Sequence, residues 1–212
     1  MKILIVAGGE LDIELLKETV REMDNPFVIG VDRGALKLIQ NNIKMDIAIG
    51  DFDSVDAEEK TKILSAAESE VLQPEKDDTD TEHAFRYALN KKPEEIVLLG
   101  CTGRRMDHSL SCIGMLRQAC DEGINAFIVD AYNRISVCKG ATQIKQNEQY
   151  GKYVSILPYG DSAKGVTEKG FKYEIENVDI DAAYGRTVSN EITEPVATIT
   201  CDDYYILLET RD

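Results

Sequence analysis

The chain has 212 residues and a formal net charge of -15 at pH 7, from 24 Lys and Arg against 39 Asp and Glu. Its 43% hydrophobic and 30% charged residues are typical of a folded globular protein and exclude a disordered chain. The acidic balance excludes a general nucleic-acid binder, and the lack of an apolar run long enough to cross a bilayer excludes a membrane protein, so we predict a cytoplasmic protein.

Apolar runs and amphipathic helical patterns alternate along the first part of the chain. The predicted strands are residues 1–7, 27–31, 47–49, a short one near Val71, 96–99 and 126–129. The predicted helices are residues 11–23, 34–40, 56–67, 81–89 and 110–120. Strict alternation of strands and helices implies a doubly wound, mainly parallel sheet with helices on both faces.

The pattern changes after residue 130, and no convincing helix follows. Short β-rich segments at 153–157, 171–175, 196–200 and 204–208 are separated by Gly, Asn and Asp turns. This pattern is typical of a compact all-β domain, and we predict a small sandwich. The sequence therefore predicts two domains, an α/β domain at residues 1–130 and a β-sandwich domain at residues 131–212.

The five cysteines are odd in number, scattered, and without CxxC spacing. Such spacing does not suit a zinc site or a disulfide framework. We expect reduced, mostly buried thiols.

Acidic residues follow four of the predicted strands. In an open parallel sheet, ligands bind outside the carboxyl ends of the strands, so these acids are expected to line a shared pocket. The residues concerned are Asp32, Asp51, Asp53, Asp77, Asp78, Asp80 and Asp107.

Some of these acids also have an ordinary structural interpretation. Asp32 could cap the helix that follows it, and Asp80 could belong to the start of the next helix. Asp51 and Asp53 suit that interpretation least, because extended spacing would place two mutually repelling carboxylates on one side of the chain. Mg²⁺ prefers such oxygen ligands and allows an acidic protein to bind a polyphosphate.

Two glycine-containing turns fit phosphate binding. Gly8 and Gly9 lie between the first strand and its helix, where backbone amides and the helix dipole favour an anion. Gly103 allows close backbone approach in the turn GCTGRRMDH, and Arg104 and Arg105 supply positive charge there. Neither turn matches a Walker P-loop or a GxGxxG fingerprint, and each alone could be a tight connection.

The motifs VDRGA, IGDFDS, KDDTD, GCTGRRMDH and TVSNE, taken together and in this order, resemble thiamine pyrophosphokinases. The resemblance covers nearly the whole chain and implies an α/β nucleotide domain followed by a β-sandwich that binds thiamine. It implies transfer of the pyrophosphoryl group of ATP to the hydroxyl of thiamine, which gives thiamine diphosphate and AMP. It also implies a homodimer whose active sites lie between subunits.

The resemblance assigns roles by position. It implies that Asp51, Asp53 and Asp80 are catalytic and surround Mg²⁺ and the ATP phosphates. Our own hypothesis for the mechanism is that Asp53 or Asp80 accepts the hydroxyl proton. The implied nucleotide-binding residues are Asp32, Asp77, Gly103, Arg104, Arg105 and Asp107. The implied thiamine-binding residues are Thr187, Ser189 and Asn190, which could otherwise form an ordinary polar β-turn.

Two features depart from the family pattern. Arg104 replaces a glycine of the motif usually written GATGGRxDH, which alters the phosphate loop or adds a phosphate contact. The chain has no tryptophan, so Tyr204 or Tyr205 is expected to replace the thiamine-stacking tryptophan of some relatives. The alternative functions are a DxD phosphatase, although its motif belongs on the first strand, and an MgATP-sensing module.

Overall fold

The computed structural model describes residues 1–73 and 78–212, which divide into two compact units, Met1–Ala131 and Tyr132–Asp212. The strands of the first unit are β1 (Lys2–Val6), β2 (Phe27–Val31), β3 (Ile47–Gly50), β4 (Glu68–Val71), β5 (Glu95–Leu99) and β6 (Asn125–Val129). Its helices are α1 (Ile13–Glu22), α2 (Arg33–Gln40), α3 (Ala57–Ala66), α4 (Asp80–Asn90) and α5 (Met106–Asp121).

The strands of the first unit form a parallel sheet in the order β6-β5-β1-β2-β3-β4. The central strands are apolar on both faces, and Ile3, Leu4, Ile5 and Val6 of β1 are fully buried. A sheet that is buried on both faces needs helices on each side, which explains the continuous apolar runs in the sequence.

Polar side chains set the starts of three of the helices. Asp12 accepts hydrogen bonds from the amides of Glu14 and Leu15 at the start of α1. Asp56 and Glu59 form a capping box at the start of α3. Thr79 caps α4 through the amide of Glu82.

Among the helices that the structure describes, none is both long and apolar enough to cross a membrane.

The second unit is built from antiparallel strands. They are β7 (Asn133–Lys145), β8 (Tyr153–Pro158), β9 (Ser162–Lys169), β10 (Ile175–Asp181), β11 (Asn190–Glu191) and β12 (Val196–Thr210). The long β12 pairs with β7 along its length, with β9 through its first part and with β8 through its second part. A register shift lies between Cys201 and Tyr204 and separates the two parts of β12.

Alternate side chains of these strands meet in an apolar core. Ala163 and Val166 of β9, Ile199 of β12 and Val154 and Ile156 of β8 are fully buried in it. Strands β9 and β12 largely alternate buried and more exposed residues, as in other antiparallel domains, whereas Val154, Ser155 and Ile156 of β8 are all buried. The predicted order, an α/β domain with a parallel sheet followed by an all-β domain, is confirmed.

Helix α5 and the segment 171–175 differ from their prediction. Helix α5 begins at Met106, before the predicted start at residue 110. The sequence pattern missed the first turn because that turn is exposed and has no apolar periodicity. Residues 171–175 are mostly irregular, with an isolated bridge between Phe171 and Ile192. Phe171 is buried in the core, whereas Tyr173 is exposed, so the segment does not have the alternation of a strand.

Candidate active site

A cleft opens in the first unit at the point where the strand order reverses. β1 pairs with β2 on one side and with β5 on the other, so the connections after β1 and β5 leave the sheet in opposite directions. Open α/β sheets bind ligands at this position. The cleft has a volume of about 1060 Å³ and is lined from the loops after β1, β2, β3 and β5, the start of α4, and α2, α3 and α5.

The loops after β1 and β5 are held together by backbone hydrogen bonds. The amide of Gly9 donates to the carbonyl of Gly100 at 2.9 Å, and the amide of Glu10 donates to that of Thr102 at 3.3 Å. A Cβ atom on Gly9 would clash with the Gly100 carbonyl and lie 2.8 Å from the Thr102 oxygen. The close approach of the two loops therefore requires glycine at position 9.

Lys37 is a cleft residue that the sequence motifs did not single out. Its ammonium group donates to the carbonyl of Gly8 at 3.2 Å and also to that of Gly9. Burial, followed by the charge of Arg33, lowers the pKa of Lys37. Lys37 belongs to no sequence motif. Its place beside the glycine turn follows only from the packing of α2 against β1.

Three carboxylates converge beside this cleft. Oxygens of Asp32, Asp51 and Asp80 all lie within 4.8 Å of one another, and all three residues are half-buried. Asp32 and Asp80 line the cleft itself. The acids come from the loops after β2 and β3 and from the first residue of α4, so the sheet edge brings together residues far apart in the chain.

Asp32 has a specific local conformation. It occupies the N-cap position of α2 but makes no capping hydrogen bond with its side chain, and its φ of 47° is left-handed. Its carboxylate instead accepts from the amide of Phe52 at 3.4 Å. Burial, and then the charge and hydrogen bond of Asp80, raise the pKa of Asp32 to about 7. The capping interpretation of its side chain is thereby excluded.

Asp53 does not belong to this group, and the backbone of the DxD pair is not extended as expected. Phe52, between the two acids, is fully buried and has a φ of 56°, so the chain is not extended there. The amide of Asp53 donates to Asp51 Oδ1 at 3.0 Å, which closes a tight turn. Asp53 is exposed and lies outside the group of three carboxylates.

The basic residues of the β5–α5 loop are paired with acids. Arg105 donates twice to Asp107, at 3.2 and 2.6 Å, and this hydrogen bonding lowers the pKa of the exposed Asp107 to about 2. Arg104 donates to Glu10 at 3.3 Å, and both arginines line the cleft. Gly103 has a φ of 136°, which favours glycine. Asp77 lies outside the described residues.

The carboxylate group suits a divalent cation with hard oxygen preferences. Three carboxylates at this separation repel one another, and after burial the charge of Asp80 is the next cause of the raised pKa of Asp32. A cation among them would relieve the repulsion, and Mg²⁺ takes carboxylate oxygens together with water and phosphate. Asp32, Asp51 and Asp80 therefore fit a magnesium site.

Two side chains of the TVSNE segment are hydrogen bonded to other residues of the second unit. The buried Thr187 donates through its hydroxyl to the carbonyl of Ile156. The buried Asn190 donates to the carbonyl of Tyr173 at 2.9 Å and accepts from the amide of the same residue at 3.1 Å. Ser189 is exposed, with a left-handed φ of 59°.

The two tyrosines expected to replace a stacking tryptophan differ in exposure. Tyr205 is fully buried, and its hydroxyl is hydrogen bonded to Thr142 at 2.6 Å, so it cannot form the wall of an open site. Tyr204 is partly exposed, with the Lys139 ammonium 4.6 Å from its ring centroid and the ring of Tyr159 6.3 Å away.

Comparison with known proteins identifies the family. Residues 21–128 match the thiamin pyrophosphokinase catalytic domain, and residues 141–206 match the thiamin pyrophosphokinase vitamin B1 binding domain. The chain belongs to the thiamine pyrophosphokinase family. This confirms the family resemblance found in the sequence motifs.

Individual relatives agree with the family match. A thiamine pyrophosphokinase of Bacillus subtilis is 32% identical over 92% of both chains. Thiamin pyrophosphokinase 1 of Caenorhabditis elegans is 30% identical over 69% of this chain and 62% of its own length. The crystal structure of thiamine pyrophosphokinase from Bacillus subtilis superposes with a TM-score of 0.86 at 30% identity and full coverage of both chains.

Proposed function

We propose that this chain transfers the pyrophosphoryl group of ATP to the primary hydroxyl of thiamine and releases AMP. The observation that carries the proposal is the match to both family domains in order along one chain. A cleft at the switch point of the parallel sheet, lined by glycine turns, basic side chains and carboxylates, supports nucleotide binding by residues 1–130. Residues 131–212 are then the thiamine-binding domain.

The acids divide into two proposed roles. Asp32, Asp51 and Asp80 would hold Mg²⁺, which would neutralise charge on the polyphosphate of ATP. The sequence assignment of Asp53 as a further ligand stays a prediction. Its exposure outside the three-carboxylate group favours the alternative role, in which Asp53 accepts the hydroxyl proton of thiamine. Asp80 remains the other candidate for this acceptor.

Positive charge and backbone donors would orient the polyphosphate. Charge in phosphoryl transfer spreads over the phosphoryl oxygens, so positioning and electrostatics provide most of the catalysis. Arg104 and Arg105 lie on the cleft and can exchange their acidic partners for phosphate oxygens. Lys37 holds the Gly8 and Gly9 carbonyls, and this fixes the glycine turn beside them. Gly103, Asp77 and Asp107 keep the nucleotide-binding roles predicted from sequence.

The thiamine contacts are proposed to come from the TVSNE segment. Thr187 and Asn190 are occupied by hydrogen bonds to their own domain, which supports a role in fixing the turn. Ser189 is exposed in a conformation that the turn must maintain, which favours it as the direct contact. We also propose a homodimer with active sites between subunits, and a cytoplasmic location stays a prediction.

Product analysis tests the function. The purified protein is incubated with ATP, Mg²⁺ and thiamine, with a control that lacks thiamine, and the products are separated by chromatography. Thiamine diphosphate and AMP in equal amounts support the proposal. ADP with thiamine monophosphate would mean that a different phosphorus is attacked. No thiamine-dependent product would contradict the proposal and favour an MgATP sensor or another acceptor alcohol.

A further inference from the structure

A lysine of α3 contacts the DFD turn, residues 51–53, which carries one of the three clustered carboxylates. The ammonium group of Lys60 donates a hydrogen bond to the main-chain carbonyl of Asp51 at 2.8 Å, and the Lys60 side chain is half-buried. The same ammonium group lies 5.7 Å from the centre of the Phe52 ring. Lys60 therefore contacts two consecutive residues of the turn from a different element of the fold.

The backbone conformation of the DFD turn depends on such contacts. Phe52 has a left-handed φ of 56°, which a bulky residue adopts only where its surroundings maintain it. Among the described contacts of the turn, the amide of Phe52 donates to Asp32 Oδ1 and the amide of Asp53 donates to Asp51 Oδ1. A cation bound by these carboxylates competes with both amides for the same oxygens. The bond from Lys60 uses the Asp51 carbonyl and is free of this competition.

The start of α3 fixes the point from which Lys60 reaches the turn. Asp56 Oδ1 accepts from the amide of Glu59 at 2.8 Å, and Glu59 Oε2 accepts from the amide of Asp56 at 3.0 Å. The amide of Lys60 donates to the Asp56 carbonyl at 2.9 Å. Because this capping box sets the first turn of the helix, the lysine stem begins from a defined position beside the DFD turn.

We propose that Lys60 is a positioning residue for the Mg²⁺ site, because its hydrogen bond to the Asp51 carbonyl keeps the Asp51 carboxylate beside those of Asp32 and Asp80. The inference rests on the proposed magnesium site and adds to it a residue outside the sequence motifs. Lys60 acts through Asp51 and does not itself bind the metal.

Charge and position predict opposite effects when this lysine is lost. An ammonium group that contacts a residue of the metal site repels a divalent cation, so removal of the charge alone should strengthen Mg²⁺ binding. Loss of the hydrogen bond to Asp51 should weaken Mg²⁺ binding, since groups that orient metal ligands typically change metal affinity by about tenfold or more. The sign of the change in affinity therefore separates the two effects.

Titration of the metal-free, full-length protein with Mg²⁺, followed by calorimetry without nucleotide or thiamine, tests the proposal. Lys60→Met keeps most of the apolar stem but removes the donor, and it should bind Mg²⁺ about tenfold more weakly than the parent chain. Lys60→Arg keeps a charged donor and should bind Mg²⁺ more tightly than Lys60→Met. Lys62→Met is the matched control, because Lys62 lies on the same helix, is exposed and pairs with Glu58 at 2.7 Å. Its Mg²⁺ affinity should stay near that of the parent chain.

Urea denaturation in EDTA identifies a purely structural role. Such a role would lower the unfolding free energy of Lys60→Met but leave the Mg²⁺ affinity of the folded protein unchanged, and this outcome would overturn the proposal. Stronger Mg²⁺ binding by Lys60→Met would overturn it as well. If Lys60→Met does not fold, Lys60→Gln, which keeps a shorter and uncharged polar side chain, replaces it with the same expectations.

These readouts separate the proposal from the proposed activity. They need no turnover, so a weaker Mg²⁺ affinity of Lys60→Met supports the positioning role even if no thiamine diphosphate forms. Equal affinities of the parent chain and Lys60→Met would contradict the positioning role alone. A parent chain that does not bind Mg²⁺ would contradict the magnesium site and the role of Lys60 together.

Discussion

Carboxylate oxygens of Asp32 and Asp80 lie within 4.8 Å of each other on the wall of the cleft. Burial, and then the charge of Asp80, raise the pKa of Asp32 to about 7, so that this carboxyl group carries a proton in part of the molecules near neutral pH. Asp51 lies in the same group. The fold therefore keeps three acids together at a cost to its own stability, which is typical of a site selected for binding.

Asp80→Asn should separate stability from activity. Loss of one like charge should raise the unfolding free energy of the metal-free protein by about 1 kcal/mol, measured by urea denaturation in EDTA. Turnover should fall by about 100-fold or more, the scale seen when a preorganised charge contact is removed. Asp51→Asn should behave in the same way with a normal circular dichroism spectrum.

Asp53→Asn is the matched comparison for this cluster, because Asp53 belongs to the same motif but lies outside the three carboxylates. It should leave the apparent Mg²⁺ affinity near that of the parent chain while it lowers turnover. A weakening of Mg²⁺ affinity as large as that of Asp80→Asn would show that Asp53 is a ligand. Near-normal turnover in all three variants would contradict the whole assignment.

Gly9→Ala should damage the cleft while Gly8→Ala is tolerated. A Cβ at position 9 would clash with the Gly100 carbonyl, whereas a Cβ at position 8 would meet Arg33 Cβ at 3.6 Å, an ordinary contact. We expect Gly9→Ala to weaken MgATP binding by about tenfold or more, because it forces apart two loops that shape the site. Calorimetry on the two variants checks this, and equal affinities would mean that the loop contact does not matter for the nucleotide.

The α/β half of the fold was predictable from sequence because its strands are buried on both faces. Such strands appear as continuous apolar runs, as in β1 and β5. The antiparallel half was harder to predict. β7, β9 and β10 have many exposed positions and contain charged, threonine or glycine residues, so their patterns resemble loops. Two predicted segments, 196–200 and 204–208, are the two parts of the single strand β12.

The candidate site was predictable in composition but not in geometry. The motifs located the acids at strand ends, but they could not indicate that Phe52 adopts a left-handed conformation or that Asp53 lies outside the group of three carboxylates. That conformation depends on burial of the Phe52 ring, which is a tertiary effect. Lys37 was missed for a similar reason, because its contacts with Gly8 and Gly9 join elements that no local pattern connects.

Glu168→Gln should remove a pH dependence of stability from the second unit. Glu168 is buried to 1% exposure, its Oε1 has no hydrogen-bond partner among the described residues, and burial raises its pKa to about 7. The folded state therefore binds the proton more tightly than the unfolded state, whose carboxyl has its ordinary pKa of 4.5. The stability that protonation of Glu168 gives the folded state is therefore fully present below pH 4.5, the ordinary pKa, and is lost as the pH rises towards about 7.

The parent chain and Glu168→Gln should thus have similar free energies of unfolding near pH 4.5, and these free energies should diverge as the pH rises to 8. The variant should be more stable there by up to about 3 kcal/mol, since each pKa unit corresponds to roughly 1.4 kcal/mol. Denaturation curves over this pH range provide the measurement, and Glu176→Gln, at an exposed residue of β10, is the control. Parallel curves for the parent chain and Glu168→Gln would show that burial of this carboxyl does not control stability.

Arg134→Met should destabilise the protein far more than loss of an exposed ion pair. Arg134 of β7 and Glu209 of β12 are directly opposite in register and share two hydrogen bonds of 2.7 Å, with Glu209 only 4% exposed. Removal of the guanidinium leaves a buried carboxylate without its charge partner, at an expected cost of about 3–5 kcal/mol. Lys145→Met, which breaks the exposed pair with Glu148, should cost less than about 1 kcal/mol.

The double variant Arg134→Met, Glu209→Leu tests the physical reason. If the penalty arises from an uncompensated buried charge, removal of both partners should recover most of the lost unfolding free energy, as measured by urea denaturation. A double variant as unstable as Arg134→Met would instead attribute the loss to packing of the arginine stem and to its position 5.9 Å from the centre of the Tyr150 ring. Comparison of Arg134→Met with the double variant requires that both unfold cooperatively.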